Sequence, residues 1–138
     1  MLTIGAVAKR TGIKIPTIRF YEEEGLLPAP PRTESGRRLY GDRAVRRLAF
    51  IRHARQLGFE LPQIRDLLDL ADHPERPCDH ADAIAAANLE AVQARLKQLR
   101  ALEKELKRMI AACSHGTAAD CRIIEVLSDH ALCATHAE

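Results

Sequence analysis

An unbroken stretch without glycine or proline, residues 79–113, places the strongest constraint on the fold of this chain. Its larger apolar residues recur at steps of three, four or seven: Leu89, Val92, Leu96, Leu99, Leu106 and Ile110. This spacing predicts one apolar seam along a long helix, which is typical of a coiled coil rather than of a globular core helix. At about 1.5 Å of rise per residue, such a helix is roughly 50 Å long.

A cysteine lies at each end of this stretch, Cys78 just before it and Cys113 in its last turn. A straight helix keeps these two thiols apart by its full length. In an antiparallel pair of such helices from two chains, Cys78 of one chain lies beside Cys113 of the partner subunit. We therefore expect a homodimer in which the six apolar residues form the dimer seam. Each end of the pair would hold a shared thiolate site.

The composition fits a small cytoplasmic protein. The chain of 138 residues has no tryptophan and few other aromatic residues, so its core must be built mainly from Leu, Ile, Val and Ala. No apolar run approaches the length that crosses a bilayer, and the polar pattern after Met1 is unlike a signal peptide, so we expect no membrane partner. Thiols stay reduced in the cytoplasm, where four cysteines indicate metal or redox chemistry more often than disulfides.

Charge is distributed unevenly along the chain. Residues 1–58 carry 12 Lys and Arg against 5 Asp and Glu, a net charge of +7. Residues 59–138 carry 9 against 14, a net charge of −5. The basic N-terminal part indicates nucleic-acid binding, with an ordinary solvated basic surface as the alternative.

The first basic segment has the pattern of a helix-turn-helix. Gly12 ends a short first helix, Pro16 suits the first turn of a second helix over residues 17–24, and Gly25 suits its C-terminal cap. Two short helices joined by a tight turn predict this motif. The second helix presents a mixture of side chains suited to phosphates and base edges: Lys14, Thr17, Arg19 and Tyr21.

A wing and connecting helices follow. Residues 32–40 predict two short strands around Ser35 and Gly36, with Arg37 and Arg38 placed at the tip to straddle a phosphate.

Asp42 then predicts the cap of a helix that runs to about Leu57. Its expected inner face is Val45, Leu48, Ile51 and Ala54, and its expected outer face is Arg43, Arg46, Arg47 and Arg52. Another helix is predicted over residues 61–70, and the proline-flanked residues 73–77 predict a rigid hinge before the long helix.

Together these segments resemble the MerR family of metal-responsive transcriptional regulators. The motifs that carry the resemblance are Ile4-Gly5 with Ala8, Thr17-Ile18-Arg19-Phe20-Tyr21-Glu22, Gly25-Leu26-Leu27, Gly36-Arg37-Arg38-Leu39-Tyr40, Ile51-Arg52 with Leu57-Gly58-Phe59, and Ile64-Arg65-Asp66-Leu67-Leu68. With the cysteine-bracketed helix, the resemblance extends to about Leu127.

The resemblance implies a mainly α fold in three parts. Residues 1–72 would form a winged helix-turn-helix DNA-binding domain with connecting helices. Residues 73–112 would form a hinge and a long antiparallel coiled-coil dimerisation helix. Residues 113–138 would form a metal-binding loop, a short helix and a tail.

The resemblance also implies a mechanism. Such regulators bind as dimers to double-stranded promoter DNA whose −35 and −10 elements are too far apart. Metal binding makes the dimer bend and untwist this DNA, so that RNA polymerase can use both elements. The expected contacts with DNA come from Lys14, Thr17, Arg19, Tyr21, Arg37, Arg38 and Tyr40.

Two positions depart from the usual family pattern, which has a second tyrosine at Phe20 and often an aromatic residue at Arg37. Alternative roles also exist for three of the expected DNA contacts. Arg19 can pair with Glu22 or Glu23 along its helix. Tyr21 and Tyr40 can belong partly to the core.

The metal site implied by the resemblance combines Cys113 and Cys121 of one chain with Cys78 of the partner subunit. A cysteine at position 78 marks the branch that senses divalent ions, although a seven-residue gap between Cys113 and Cys121 also occurs in Cu(I) sensors. His115 can complete a tetrahedral site, which favours zinc over cadmium, lead or mercury as the cofactor; its alternative is an exposed loop residue.

Further ligands are expected with less support from spacing. His80 is a candidate ligand or a surface residue, and Cys133 and His136 share a spacing that can bind metal with or without His130. The competing functions are a Cu(I)-responsive regulator, a thiol redox sensor and a metal-buffering protein. An enzyme is not expected, because no acid, base and nucleophile converge outside the thiols.

Overall fold

The structure, a computed structural model, describes residues 1–112 and 116–129. Its α-helices are α1 (Ile4–Thr11), α2 (Ile15–Glu23), α3 (Asp42–Gln56), α4 (Leu61–Ala71), α5 (Asp79–Ala111) and α6 (Arg122–Ser128). A 3-10 turn, Ala118–Asp120, precedes α6. The described residues contain no named strand, and the prediction of a mainly α fold is confirmed.

Packing divides the chain into two compact units, Met1–Asn88 and Leu89–Glu138. The first unit contains α1 to α4 and the first turns of α5. Its core is formed by Val7, Ile13, Ile18, Tyr21, Leu26, Leu27, Tyr40, Leu48, Ile51, Ala54, Ile64 and Leu68. The predicted functional division into residues 1–72, 73–112 and 113–138 stays a prediction.

The turn between α1 and α2 is fixed by backbone geometry and by α3. Gly12 ends α1 in the left-handed region, with φ of 74°, where a side chain would be strained. Arg52 of α3 donates to the carbonyl oxygen of Thr11, directly before this glycine. A Cβ atom on Gly12 would clash with Nη1 of Arg52, so the glycine also gives the guanidinium room to reach the turn.

The prediction of two short strands in the wing is wrong. Arg32 and Arg38 form one isolated antiparallel bridge, and Leu2 and Tyr40 form another. Pro31 precedes Arg32 and has no amide hydrogen to donate, which helps to keep the ladder too short for strands. The wing is a turn whose backbone bonds run from the amide of Thr33 to the carbonyl oxygen of Arg37 at 2.7 Å and from the amide of Leu39 to the carbonyl oxygen of Pro31 at 2.8 Å.

α3 differs from its prediction at its start and on one side. Gly41 is the N-cap, and Asp42 is instead the first helical residue, where a carboxylate complements the helix dipole. Leu48, Ile51 and Ala54 are buried as predicted.

The outward placement of Arg47 is wrong. Its Nε donates to the carbonyl oxygen of Leu26 at 2.7 Å, and its Nη1 donates to Asp72 at 2.8 Å. Arg47 lies beside the buried Leu48, on the side of α3 that reaches the ends of α2 and α4. The guanidinium turns away from solvent because the carbonyl of Leu26 and the carboxylate of Asp72 both accept hydrogen bonds from it.

α4 and the hinge lead into the long helix. The amide of Glu60 donates to the side chain of Gln63 at 2.9 Å, which stabilises the start of α4. In the predicted hinge, Arg76 donates to Asp69 of α4 at 2.8 Å. α5 begins at Asp79, as predicted. In the part of the chain that the structure describes, no helix has the length and apolar character needed to cross a membrane.

Candidate nucleic-acid interface and metal-ligand residues

The second helix of the helix-turn-helix presents exposed cations. Lys14 is the N-cap of α2, with Pro16 in the first turn, and Arg19 lies one turn further along. Lys14 and Arg19 are exposed, whereas Thr17 is half-buried. Arg19 forms no ion pair with any described carboxylate, so the alternative pairing with Glu22 or Glu23 is not seen. Its guanidinium is therefore available to a phosphate or a base edge.

Two adjacent aromatic rings on α2 differ in exposure. Tyr21 is 7% exposed and belongs to the core, whereas Phe20 is 42% exposed. Their ring centroids are 6.0 Å apart, with the planes tilted by 52°. The expected contact between Tyr21 and DNA stays a prediction, and its burial favours a packing role.

A cluster of three side chains connects α2 to the wing. The hydroxyl of Tyr40 donates to Glu22 of α2, and Nε of Arg38 lies 3.4 Å from the second carboxylate oxygen of Glu22. Burial raises the pKa of the Tyr40 phenol well above its ordinary value, and the hydrogen bond and charge of Glu22 raise it further. Glu22 thereby fixes the wing against the second helix.

Arg37 remains directed to solvent at the tip of the wing. It is exposed and forms no ion pair with a described carboxylate. Its backbone amide donates to the hydroxyl of Thr33 at 3.1 Å, and Arg32 donates to the carbonyl oxygen of Gly36 at 3.0 Å. These bonds hold the tip in shape, so that Arg37 is presented on an ordered turn.

Asp72 forms ion pairs with two arginines of α3. Besides its hydrogen bond from Arg47, it lies 3.6 Å from Arg43. The hydrogen bond from Arg47 is the main reason that the pKa of the Asp72 carboxyl is held below its ordinary value. The sequence reasoning missed the roles of Asp72 and Glu22. The role of Glu22 could have been inferred from the sequence, because Glu22 is one of few carboxylates in the most basic part of the chain and so has many possible cationic partners.

Cys78 lies at the start of α5 with its side chain exposed. Its carbonyl oxygen accepts the amide of Asp82 at 3.0 Å, which is the first hydrogen bond of the helix. His80 is exposed two residues later, and its Nε2 lies 3.8 Å from Asp66 of α4. The expected ligand role of His80 stays a prediction.

Cys121 lies at the start of α6 and is half-buried. Thr117 donates to Asp120 at 3.1 Å, and the amide of Asp120 donates to the carbonyl oxygen of Thr117 at 3.0 Å, so the segment before Cys121 is an ordered turn. The other predicted ligands, Cys113, His115, Cys133 and His136, lie outside the described residues, as does His130. Within residues 1–112 and 116–129, no three His, Cys, Asp or Glu side chains are grouped as a metal site.

The predicted dimer seam is an exposed apolar strip on α5. Its residues are Leu89, Val92, Leu96, Leu99, Leu106 and Ile110, which are between 39% and 60% exposed. Glu103 interrupts the strip and pairs with Lys107 at 4.0 Å. A strip of this length is left open by the single chain, and such patches mark interaction surfaces.

Comparison with known proteins matches most of the chain. Residues 2–71 match the profile described as MerR HTH family regulatory protein, and residues 45–109 match the profile described as MerR, DNA binding. The HTH-type transcriptional regulator ZntR of Escherichia coli strain K12 is 41% identical over 135 residues, covering 95% of both chains. The mercuric resistance operon regulatory protein of Serratia marcescens is 38% identical over 112 residues, covering 81% of this chain and 76% of that protein.

A solved structure agrees with these sequence matches. It is that of the transcription regulator PbrR691 from Ralstonia metallidurans CH34 in complex with lead(II). The two chains superpose with a TM-score of 0.77 and 41% identity, over 92% of this chain and 99% of PbrR691.

Proposed function

This chain belongs to the MerR family of helix-turn-helix regulatory proteins, and on that premise we propose that it is a metal-sensing activator of transcription. As a member of this family it is a transcriptional regulator and not an enzyme. In the proposal, a homodimer binds promoter DNA in the cytoplasm and distorts it when a divalent soft metal ion occupies thiolates of both chains.

The first unit supplies the surface for DNA. Arg19 on α2 and Arg37 on the wing both lie exposed without ion pairs to described carboxylates, and Glu22 holds the helix and the wing together. Two separated cations on connected elements suit two phosphates along one DNA strand. Lys14 adds a third exposed cation at the start of α2.

The apolar strip of α5 supports pairing with a second copy of the chain. Its steps of three and four residues match the seam of a coiled coil, and its side chains are exposed in the single chain. A second α5 would cover the strip with the same residues, as a two-fold dimer requires.

The donor set fits a soft metal ion. In the proposal, Cys113 and Cys121 of one chain and Cys78 of the partner subunit are the ligands, with His115 as a fourth. The described thiols support this set, because Cys78 is exposed at a helix start and Cys121 follows an ordered turn. Thiolates prefer zinc, cadmium, lead, mercury and Cu(I) over harder ions. A lead(II) complex is known for PbrR691, and we propose zinc ahead of the other divalent ions here.

The bound ion would act by favouring one dimer geometry. An ion with equal affinity for both geometries would shift nothing, so the thiolates must be closer to their bound arrangement in the activating dimer. That preference would provide the energy to bend and untwist the over-long promoter spacer. RNA polymerase could then use both promoter elements.

One observation carries the proposal: an exposed cysteine, Cys78, directly precedes the helix whose apolar strip is open to a second chain. A ligand at that position can reach a partner's ligands only through pairing of the two helices. Metal binding and dimer geometry are thereby linked in a single element.

The proposal is tested by transcription from the protein's own promoter, titrated separately with Zn, Cd, Pb, Hg and Cu(I). Wild type is compared with Cys78→Ser, and Ala85→Ser at an exposed position of α5 serves as a serine variant outside the proposed ligands. We expect a response to divalent ions that Cys78→Ser loses and Ala85→Ser retains. A Cu(I) response that is indifferent to Cys78 would identify a copper regulator instead. Activation by oxidant without metal would identify a redox sensor.

A further inference from the structure

Asn88 of α5 is a buried polar side chain that joins this helix to the end of α3. It is 9% exposed, and its Nδ2 donates to the carbonyl oxygen of Leu57 at 2.9 Å. Ile84, one turn earlier on α5, is also buried. Since residues four apart share a helix face, Ile84 and Asn88 form a buried face on the first turns of α5, which belong to the first unit.

The carbonyl group that Asn88 reaches is at the C-cap of α3. The last carbonyl groups of a helix have no amide donor within the helix. The carbonyl of Arg55 is satisfied by the amide of Gly58 at 3.0 Å, because Gly58 has φ of 88° and turns the chain back. The carbonyl of Leu57 accepts its hydrogen bond from Asn88 instead. The end of α3 is therefore completed by a side chain from α5.

Cys78 and Asn88 belong to one continuous run of helical hydrogen bonds. The amide of Asp82 donates to the carbonyl of Cys78, and helix α5 continues without a break to Ala111. At its other side, α3 holds the turn of the helix-turn-helix, because Arg52 donates to the carbonyl of Thr11. A change in the position of Cys78 can thus reach the DNA-binding turn through packed, hydrogen-bonded elements.

We infer that Asn88 is a positioning residue that couples the metal-binding start of α5 to the DNA-binding helices through its hydrogen bond to Leu57. This inference rests on the proposed metal-sensing function. The bond sets the position of α5 along the end of α3, because the buried donor has a single carbonyl to satisfy. Without the bond, Ile84 would still be buried, but the position of α5 relative to the end of α3 would be fixed less tightly.

The test uses the full-length protein with its operator and four forms: wild type, Asn88→Asp, Asn88→Gln and Gln93→Glu. Asp has the shape of Asn but cannot donate when ionised, whereas Gln keeps an amide donor. Gln93→Glu makes the equivalent amide-to-carboxylate change at an exposed position of α5. For each form, the metal-dependent fold activation of transcription and the metal affinity without DNA are measured with Zn, Cd, Pb and Hg.

We expect Asn88→Asp to reduce fold activation roughly tenfold, a factor within the usual range of coupling between sites. Metal affinity without DNA and operator affinity without metal should stay near wild type, which a merely destabilised protein would not achieve. Asn88→Gln and Gln93→Glu should both retain activation. Full activation by Asn88→Asp would overturn the inference, whereas a wild type that responds to no metal would overturn the proposed function.

If Asn88→Asp does not fold, hydrogen exchange of the wild type tests the coupling through Asn88. The operator complex is compared with and without the activating metal ion. We expect the exchange rates of the amides of Gly58 and Phe59 to change by about threefold or more, since local opening reports the stability of that helix end. Unchanged rates at this helix end would overturn the inference.

Discussion

At the scale of single residues, the hydrogen bond between Tyr40 and Glu22 predicts how stability depends on alkaline pH. An unfolded chain releases the phenol proton near the ordinary pKa of 10.0, whereas the folded chain keeps it to higher pH. Stability therefore falls as the pH rises above about 10, by about 1.4 kcal/mol per pH unit from this group.

The variant Tyr40→Phe lacks both the hydrogen bond and this pH dependence. We expect it to lower the free energy of unfolding at neutral pH by about 1–3 kcal/mol, since the bond is to a charged acceptor. Its deficit relative to wild type should shrink between about pH 10 and 11. Urea unfolding of both proteins across this range measures the effect, and a constant difference between them would contradict it.

Arg47 gives a second prediction at this scale. Arg47→Leu removes two hydrogen bonds, and we expect it to lower the free energy of unfolding by about 1–3 kcal/mol because the carbonyl of Leu26 loses its donor. Arg46→Leu on the exposed side of the same helix should change it by no more than about 0.5 kcal/mol. Equal losses in urea unfolding would show that Arg47 has no special role.

These residues also show what sequence reasoning can reach. Gly12 and Pro16 specify their turn locally, so the helix-turn-helix was predictable. Arg47 and Arg46 are adjacent and identical, and only the distant partners Leu26 and Asp72 separate their roles. The position of Glu22 beside the wing likewise depends on contacts between elements that no local pattern encodes.

At the scale of elements, the apolar strip of α5 predicts that dimerisation is sensitive to single charges. Leu96→Arg places a charge in the strip, and we expect the dimer dissociation constant to rise at least about tenfold, which corresponds to about 1.4 kcal/mol. Ala94→Arg lies on the opposite face of the helix and should leave the dimer intact. Sedimentation across a range of concentrations distinguishes the two, and a fully dimeric Leu96→Arg would argue against the seam.

The long helix was predicted correctly from the sequence, whereas the strands of the wing were not. Residues 79–111 form a helix because many equivalent steps reinforce one period, and its start at Asp79 followed from the sequence. The wing has one bridge where two strands were expected, because its shape depends on Pro31, the turn at Gly36 and the side chain of Glu22. Short elements are determined by their neighbours more than by their own pattern.

At the scale of the whole molecule, the uneven charge predicts a strong salt dependence of operator binding. Each phosphate contact contributes about −0.9 to the slope of log affinity against log salt. We expect Arg37→Ala to reduce the magnitude of that slope by about 1, because Arg37 is exposed at the wing tip. Arg100→Ala, at an exposed position of α5, is the matched control and should leave the slope unchanged. Equal slopes for wild type and Arg37→Ala would exclude a phosphate contact.

The exposed strip on α5 also has a genetic consequence. If the strip pairs two chains, as proposed, a chain that keeps it but has lost its DNA contacts still associates with normal chains as they are synthesised. When the defective chains are in excess, most normal chains would be held in mixed pairs that carry only one working DNA-binding surface. An allele such as Arg19→Ala combined with Arg37→Ala should therefore be dominant over the wild-type allele in the same cell. Adding Leu96→Arg to that allele should make it recessive again.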